Sequence, residues 1–263
     1  MPIRAILFDL DETLIDWSDF RGNWWELEPL HLRNVYNYIA DGFPVEFDSD
    51  KFVQEFSRRS RLLWNAARDR WSRRTSGRCW SRPRRRSACR TSTSTAISSS
   101  PPMDGVPAEG TRPFAEVHRV LARLKGHGFE PGIITNSFLP MRMRDAELDA
   151  HDLTQYFPRC RLSAADAGFL KPHPEVFRRA LTKIGVGPKE AVFVGDNLAA
   201  DILGAKSVGM KAVWRKPAAG GSGREYDIKP DATIQTLDEP LRPDRHVAVI
   251  RRACAQRPAA YRP

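Results

Sequence analysis

Apolar residues recur along this chain in two rhythms, and the rhythm changes where one structural element should give way to another. Ile3, Ala5, Ile6 and Leu7 make a short, nearly continuous apolar run, the pattern of a strand buried on both faces. From Trp24 to Ile39 the apolar positions (Trp24, Leu27, Leu30, Leu32, Val35, Tyr38, Ile39) fall at near-helical spacing. A second helix is expected to start at Asp48–Asp50, whose short carboxylates cap well, and to run through Phe52, Phe56, Leu62, Leu63 and Trp64. These two read as an inserted helical module.

The pattern is clean again from Thr111. Phe114, Val117, Val120, Leu121 and Leu124 predict an amphipathic helix that ends at Gly126–Gly128. A strand follows over "GIITNS", then a helix from Pro140 to about Leu153, and a short strand in "CRLSAAD". Pro174–Ile184 reads as a helix with proline in its first turn, "AVFVGD" as a buried strand and Leu198–Val208 as a helix. "KAVWR" and "ATIQT" are the last strands. Strands alternating with helices over residues 111–236 predict an α/β fold with an open parallel, Rossmann-like sheet. Such sheets bind ligands at the carboxyl ends of their strands.

Between the two patterned regions, Arg70–Pro102 shows neither rhythm. Nine arginines lie between Arg70 and Arg90, and no acidic residue occurs from Ser72 through Met103. The formal net charge is +10, so without those nine the remainder carries 10 − 9 = +1, and the basic character belongs to one segment. The segment has three readings: a disordered insert, a basic arm for nucleic acid, or residues translated from a shifted reading frame restored near Met103. An arginine-only basic set rich in Ser and Thr favours the first or third, and nucleic acid is not the expected partner. Cys79, Cys89, Cys160 and Cys254 form no metal or disulfide pattern and fit a reducing, cytoplasmic setting. No apolar run approaches the roughly 18 residues of a membrane span, and no signal peptide is expected ahead of the first strand.

Chemistry collects at the strand ends. The first strand closes on Asp9 and Asp11, the second on Thr135-Asn136-Ser137, and "AVFVGD" on Asp196 with Asp201 one helical turn on. Lys171 precedes the Pro174 helix in "GFLKPHPEVF". Residues i and i+2 of an extended chain point to the same side, so Asp9 and Asp11 repel unless a cation or a proton intervenes. Singly, each residue has a bland explanation as a cap, a turn residue or a surface lysine. His173 reads as structural, and Trp17, Trp24 and Trp25 as core aromatics before pocket lining. Four carboxylates, a hydroxyl and a lysine gathered at neighbouring strand ends suit Mg²⁺ and a phosphate group.

The motifs resemble those of the haloacid dehalogenase-like superfamily. D-x-D-x-T stands as Asp9-Leu10-Asp11-Glu12-Thr13, and the apolar run ending in threonine as Ile133-Ile134-Thr135-Asn136. The lysine before a proline-containing helix is Leu170-Lys171-Pro172-His173-Pro174, and G-D-x-x-x-x-D runs from Gly195 to Asp201. The resemblance implies a catalytic core over 1–16 and 105–245, a helical cap over 17–104 with an irregular second half over 70–102, and a tail over 246–263. It implies a phosphohydrolase of a small phosphorylated substrate. Asp9 is the expected nucleophile and Asp11 the acid and base, keeping a proton more readily because Asp9 is ionised beside it. Thr135, Asn136 and Lys171 are expected to bind phosphate. Asp9, Asp11 (through its carbonyl), Asp196 and Asp201 are expected around Mg²⁺, with Asp201 acting through water or on Lys171. Asp11 favours phosphate esters over carbon–halogen bonds, because only the ester's leaving group needs a proton. A phosphomutase, or an idle scaffold that binds through the arginine segment, is the alternative. The residues do not specify the substrate or the oligomeric state.

Overall fold

The computed structural model describes residues 2–21, 29, 32–33, 36–37, 40–41, 44–74, 108–137, 139–217 and 228–239, with the backbone alone at 60 and 63–74. The helix expected over 24–39 lies mostly outside these residues. So do Trp24, Trp25, Cys79, Cys89, Cys254, the tail over 246–263 and the arginine/serine stretch beyond residue 74. The chain divides into two compact units, Met1–Arg21 with Gly105–Pro263, and Gly22–Asp104.

In the first unit, β1 (Ala5–Phe8) is the strand that the apolar run predicts, and all four of its residues are buried. It pairs in parallel with β4 (Glu130–Thr135) on one side and β6 (Ala191–Gly195) on the other. β5 (Arg161–Ser163), β7 (Lys211–Arg215) and β8 (Ala232–Ile234) complete a six-stranded parallel sheet in the order β5-β4-β1-β6-β7-β8. Side chains alternate between its faces. Ile6, Phe8, Ile133, Val192 and Val194 pack on one side with α2 (Val117–Gly126), through Val117, Val120, Leu121 and Leu124. Ala5, Leu7, Ile134 and Phe193 face the other side and meet α5 (Pro174–Ile184), through Val176, Phe177, Ala180, Leu181 and Ile184. Gly132 allows the close approach of strand and helix, since a Cβ there would lie 2.5 Å from Leu7 Cδ2 and 3.0 Å from Ile184 Cδ1. The result is the three-layer α/β architecture of an open parallel sheet.

Four local features differ from the expected pattern. β2 (Ile15–Asp16) and β3 (Arg112–Pro113) form a two-residue antiparallel pair, too short to carry a visible alternation. The helix after β4 is α3 (Met141–Ala150), followed by a 3₁₀ turn at Thr154–Tyr156. A short α4 (Ala164–Ala167) follows β5, held by a capping box between Ser163 and Asp166. The helix expected over Leu198–Val208 opens as a π-turn at Leu198–Leu203 and continues as α6 (Gly204–Ser207).

The second unit contains α1 (Ser49–Arg74), which starts where the capping residues predict: Lys51 N–H donates to Asp48 Oδ1 at 2.8 Å. This helix runs past residue 70, where the apolar periodicity has already lapsed. Tyr36, Phe47, Phe52 and Phe56 form a ladder of ring contacts near its start.

Candidate active site

The carboxyl ends of β1, β4 and β6 place the expected residues together. Asp9 is the first residue beyond β1, and its backbone N–H donates to Val194 O at 2.9 Å, which fixes it against β6. Lys171 Nζ donates to Asp9 Oδ1 at 2.7 Å and pairs with Asp201 Oδ1, also at 2.7 Å. The lysine side chain is only 1 % exposed, so this charge cannot be satisfied by water. Its ammonium lies 5.3 Å from the centre of the Phe193 ring.

Asp201 reaches the cluster by a particular local device. Asn197 caps the π-turn, its Oδ1 accepting from the N–H groups of Ala199 and Ala200 at 3.0 and 2.9 Å. The N–H groups of Asp201 and Ile202 both converge on Asn197 O, at 2.9 and 3.3 Å. The wide turn aims Asp201 back at the sheet, where its Oδ2 accepts from Asn197 N at 3.0 Å. Any side chain at position 195 would collide with the Asp201 carboxylate, which explains glycine ahead of Asp196.

One oxygen each from Asp9, Asp196 and Asp201 lie within 4.8 Å of one another. Burial and the neighbouring carboxylates push Asp9 well above the ordinary carboxylate range, although Lys171 pulls the other way. Burial and the Asp201 charge push Asp196 up to about 7. Burial pulls Lys171 down, but Asp201 and Asp9 outweigh it and hold the ammonium above its ordinary value. Three clustered carboxylates, two of them buried, thus share one ammonium among the described residues. A surplus of hard oxygen donors and of negative charge fits Mg²⁺, with Asp9, Asp196 and Asp201 as the residues able to surround it.

Thr135 ends β4 and is buried, with its Oγ1 3.4 Å from Asp11 Oδ2. Asn136 pins the lysine loop from both sides: its Nδ2 donates to Lys171 O at 3.1 Å, and its Oδ1 accepts from Lys171 N at 2.6 Å. His173 has the structural place expected for it, its Nδ1 accepting from Glu175 N at 3.2 Å while its ring stacks on Phe169.

Asp11 departs from expectation. Arg144 of α3 forks onto its carboxylate, with Nη2 to Oδ1 at 2.8 Å and Nη1 to Oδ2 at 3.2 Å. Trp17 Nε1 donates to Oδ1 at 3.2 Å. Burial raises Asp11, but the Arg144 charge and these hydrogen bonds outweigh it and leave the carboxyl below its ordinary range. The Asp9 charge was expected to favour a proton on Asp11; the arginine reverses that. Glu147 in turn accepts from Arg144 Nε at 2.7 Å, and both side chains are about 10 % exposed. Arg144 and Glu147 are absent from the sequence reading. Their signal is that they interrupt the stripe running from Met141 to Leu148, where charges rarely sit unless paired.

The turn that carries Asp11 is braced separately. Glu12 has φ +60°, and its carbonyl accepts from Arg215 Nη1 at 2.8 Å. The Arg215 guanidinium lies 3.6 Å above the Phe114 ring centre and beside Glu116.

Residues 3–209 match the haloacid dehalogenase-like hydrolase family. Glyceraldehyde 3-phosphate phosphatase of Pyrococcus furiosus is 31 % identical, over 81 % of this chain and 81 % of that protein. Phosphoserine phosphatase of Thermus thermophilus is 36 % identical over 48 % of this chain and 49 % of its own length. The crystal structure of a HAD phosphatase from Thermococcus onnurineus superposes with a TM-score of 0.51 at 23 % identity, covering 90 % of this chain and 95 % of that one, a likeness of fold. Motifs, sheet order and the residues they gather agree: the chain belongs to the haloacid dehalogenase-like hydrolases.

Proposed function

We propose that this hydrolase is a Mg²⁺-dependent phosphohydrolase that cleaves the monoester of a small phosphorylated metabolite through an aspartyl-phosphate on Asp9. The observation that carries the reading is the pair of carboxylates just beyond β1, one held by a buried lysine in an acidic cluster and the other by an arginine. Relatives named for glyceraldehyde 3-phosphate and phosphoserine support a phosphate ester as substrate.

In this reading an Asp9 oxygen attacks phosphorus, the ester oxygen departs, and a water later attacks the acyl phosphate to regenerate the carboxylate. Splitting the displacement lets one residue, Asp11, hand a proton to the leaving oxygen and afterwards take one from the water. Thr135 and the N–H of Asn136 hold phosphoryl oxygens, while Lys171 offsets charge on Asp9 and on the transferring group. Asp9, Asp196 and the Asp11 carbonyl are the groups that would hold Mg²⁺, with Asp201 orienting Lys171. The ion supplies electrostatic stabilisation of the phosphoryl oxygens when bound.

The test is phosphate release from an aryl phosphate ester with Mg²⁺, with EDTA, and with Asp9→Asn. Release that requires the metal and falls by at least about 10³-fold in the variant is expected. Release that persists in Asp9→Asn, or its absence from folded wild-type protein with every ester tried, would refute the reading.

A further inference from the structure

Asp11 is more fully occupied than a working acid and base should be. An ionised carboxylate offers about four lone-pair positions. All four have a donor: Oδ1 takes Arg144 Nη2 at 2.8 Å and Trp17 Nε1 at 3.2 Å, and Oδ2 takes Arg144 Nη1 at 3.2 Å and Thr135 Oγ1 at 3.4 Å. No position is left for a transferable proton until one donor withdraws. The contacts are unequal, and the longer of each pair of like contacts falls on Oδ2. Its weakest donor is the Thr135 hydroxyl.

We propose that Arg144, anchored by Glu147, is the positioning residue that fixes the Asp11 carboxylate and makes Oδ2 its working oxygen. The inference rests on the phosphohydrolase reading above and deepens it. Arg144 presents two N–H groups in a planar fork, which sets both the place and the rotation of the carboxylate, as a lysine could not. The guanidinium cannot swing away at no cost, because Nε is committed to Glu147 at 2.7 Å and the side chain is 10 % exposed. Trp17 holds Oδ1 from the other side. When phosphate takes the Thr135 hydroxyl, Oδ2 alone loses a donor. Oδ2 is therefore the oxygen that the fork leaves nearest to exchange with a bound ester.

The experiment separates orientation of Asp11 from general disruption by changing how much the leaving group needs a proton. Values of kcat/KM are measured with Mg²⁺ for wild type, Arg144→Gln, Arg144→Lys and Glu147→Gln, on p-nitrophenyl phosphate and on a simple alkyl phosphate. A nitrophenolate departs without help, whereas an alkoxide needs the proton. Arg144→Gln is expected to lower kcat/KM by about 10²–10³-fold on the alkyl ester and by less than about tenfold on the aryl ester. Glu147→Gln leaves the fork in place but frees its anchor, so the same selectivity is expected with a smaller loss; it also carries the test if Arg144→Gln does not fold. Equal losses on both esters, a gain in either variant, or full recovery by Arg144→Lys would overturn the inference. If the wild type cleaves neither ester, or Asp9→Asn still does, the phosphohydrolase reading has failed instead.

Discussion

Lys171 is the sole ammonium facing the three clustered carboxylates among the described residues, and its removal should cost stability in a pH-dependent way. Lys171→Met keeps the length and the apolar stem of a side chain that is 1 % exposed, and removes two ion pairs of 2.7 Å. Removing one partner of a buried pair typically costs about 3–5 kcal/mol, because the remaining charge is stranded. The carboxylates can escape part of that cost by taking up protons. Asp196 already titrates at about 7 with Lys171 present, and loss of the ammonium raises the cluster further. A carboxyl whose pKa is raised on folding leaves the native state holding more protons than the unfolded chain, so its contribution is present below about pH 4 and is lost as pH climbs through the folded value. Measured by urea unfolding in EDTA, the variant should lose about 3–5 kcal/mol at pH 8 but only about 1–2 kcal/mol at pH 5. An equal loss at both pH values, or less than about 1 kcal/mol at pH 8, would show that Lys171 does not neutralise the cluster.

The same sign gives a prediction for the wild type. Mg²⁺ should raise the melting temperature more at pH 8 than at pH 5, because protons occupy Asp196 and Asp9 at the lower pH, and differential scanning fluorimetry with EDTA controls would read it. Glu12 holds a left-handed conformation at φ +60° in the turn beside Asp11. Glu12→Gly should be between neutral and about 1 kcal/mol stabilising, whereas β-branched Glu12→Val should cost more than about 1 kcal/mol in the same urea series. Gly132→Ala puts a methyl 2.5 Å from Leu7 Cδ2 and should cost about 1–3 kcal/mol by overpacking β4 against α5. Gly195→Ala displaces Asp201, so at constant expression it should depress Mg²⁺-dependent turnover by at least about tenfold more than it depresses the melting transition would suggest.

What could be read from the sequence, and what could not, follows from the range of the interactions involved. β1, β4, β6 and β7 are short buried runs whose composition is nearly sufficient, and α5 carries its own start and stop, with Pro174 at its first position and Gly185 left-handed beyond its end. The residues at the ends of these strands were therefore placed by topology alone. The π-turn over Leu198–Leu203 was not legible, because its cause lies outside the helix: the Asp201 carboxylate must reach Lys171, and Gly204 must fit under Phe177. The β2–β3 pair was hidden for a different reason, since two residues are too few to show a period. Arg144 sits 133 residues from its partner Asp11, and neither position alone signals the other.

That distance also resolves how two carboxylates side by side at one strand end can do different work. Position alone makes Asp9 and Asp11 near equivalents, since both follow β1 within three residues. The rest of the chain separates them. Burial raises the Asp9 pKa, and residues 171, 196 and 201, one ammonium and two more carboxylates, leave it raised. Residues 17 and 144 surround Asp11 with donors only, and its pKa is lowered. A cation entering the first cluster moves Asp9 toward the ionised state the proposed nucleophile needs, while the negative charge of a bound phosphate moves Asp11 toward accepting a proton. The two shifts are opposite in sign, and the metal and substrate of the proposed reaction each act against one of them. A chain lacking Arg144 would keep the D-x-D-x-T sequence and the strand, but would lose the charge that holds Asp11 below its ordinary range, and with it part of the proposed division of labour.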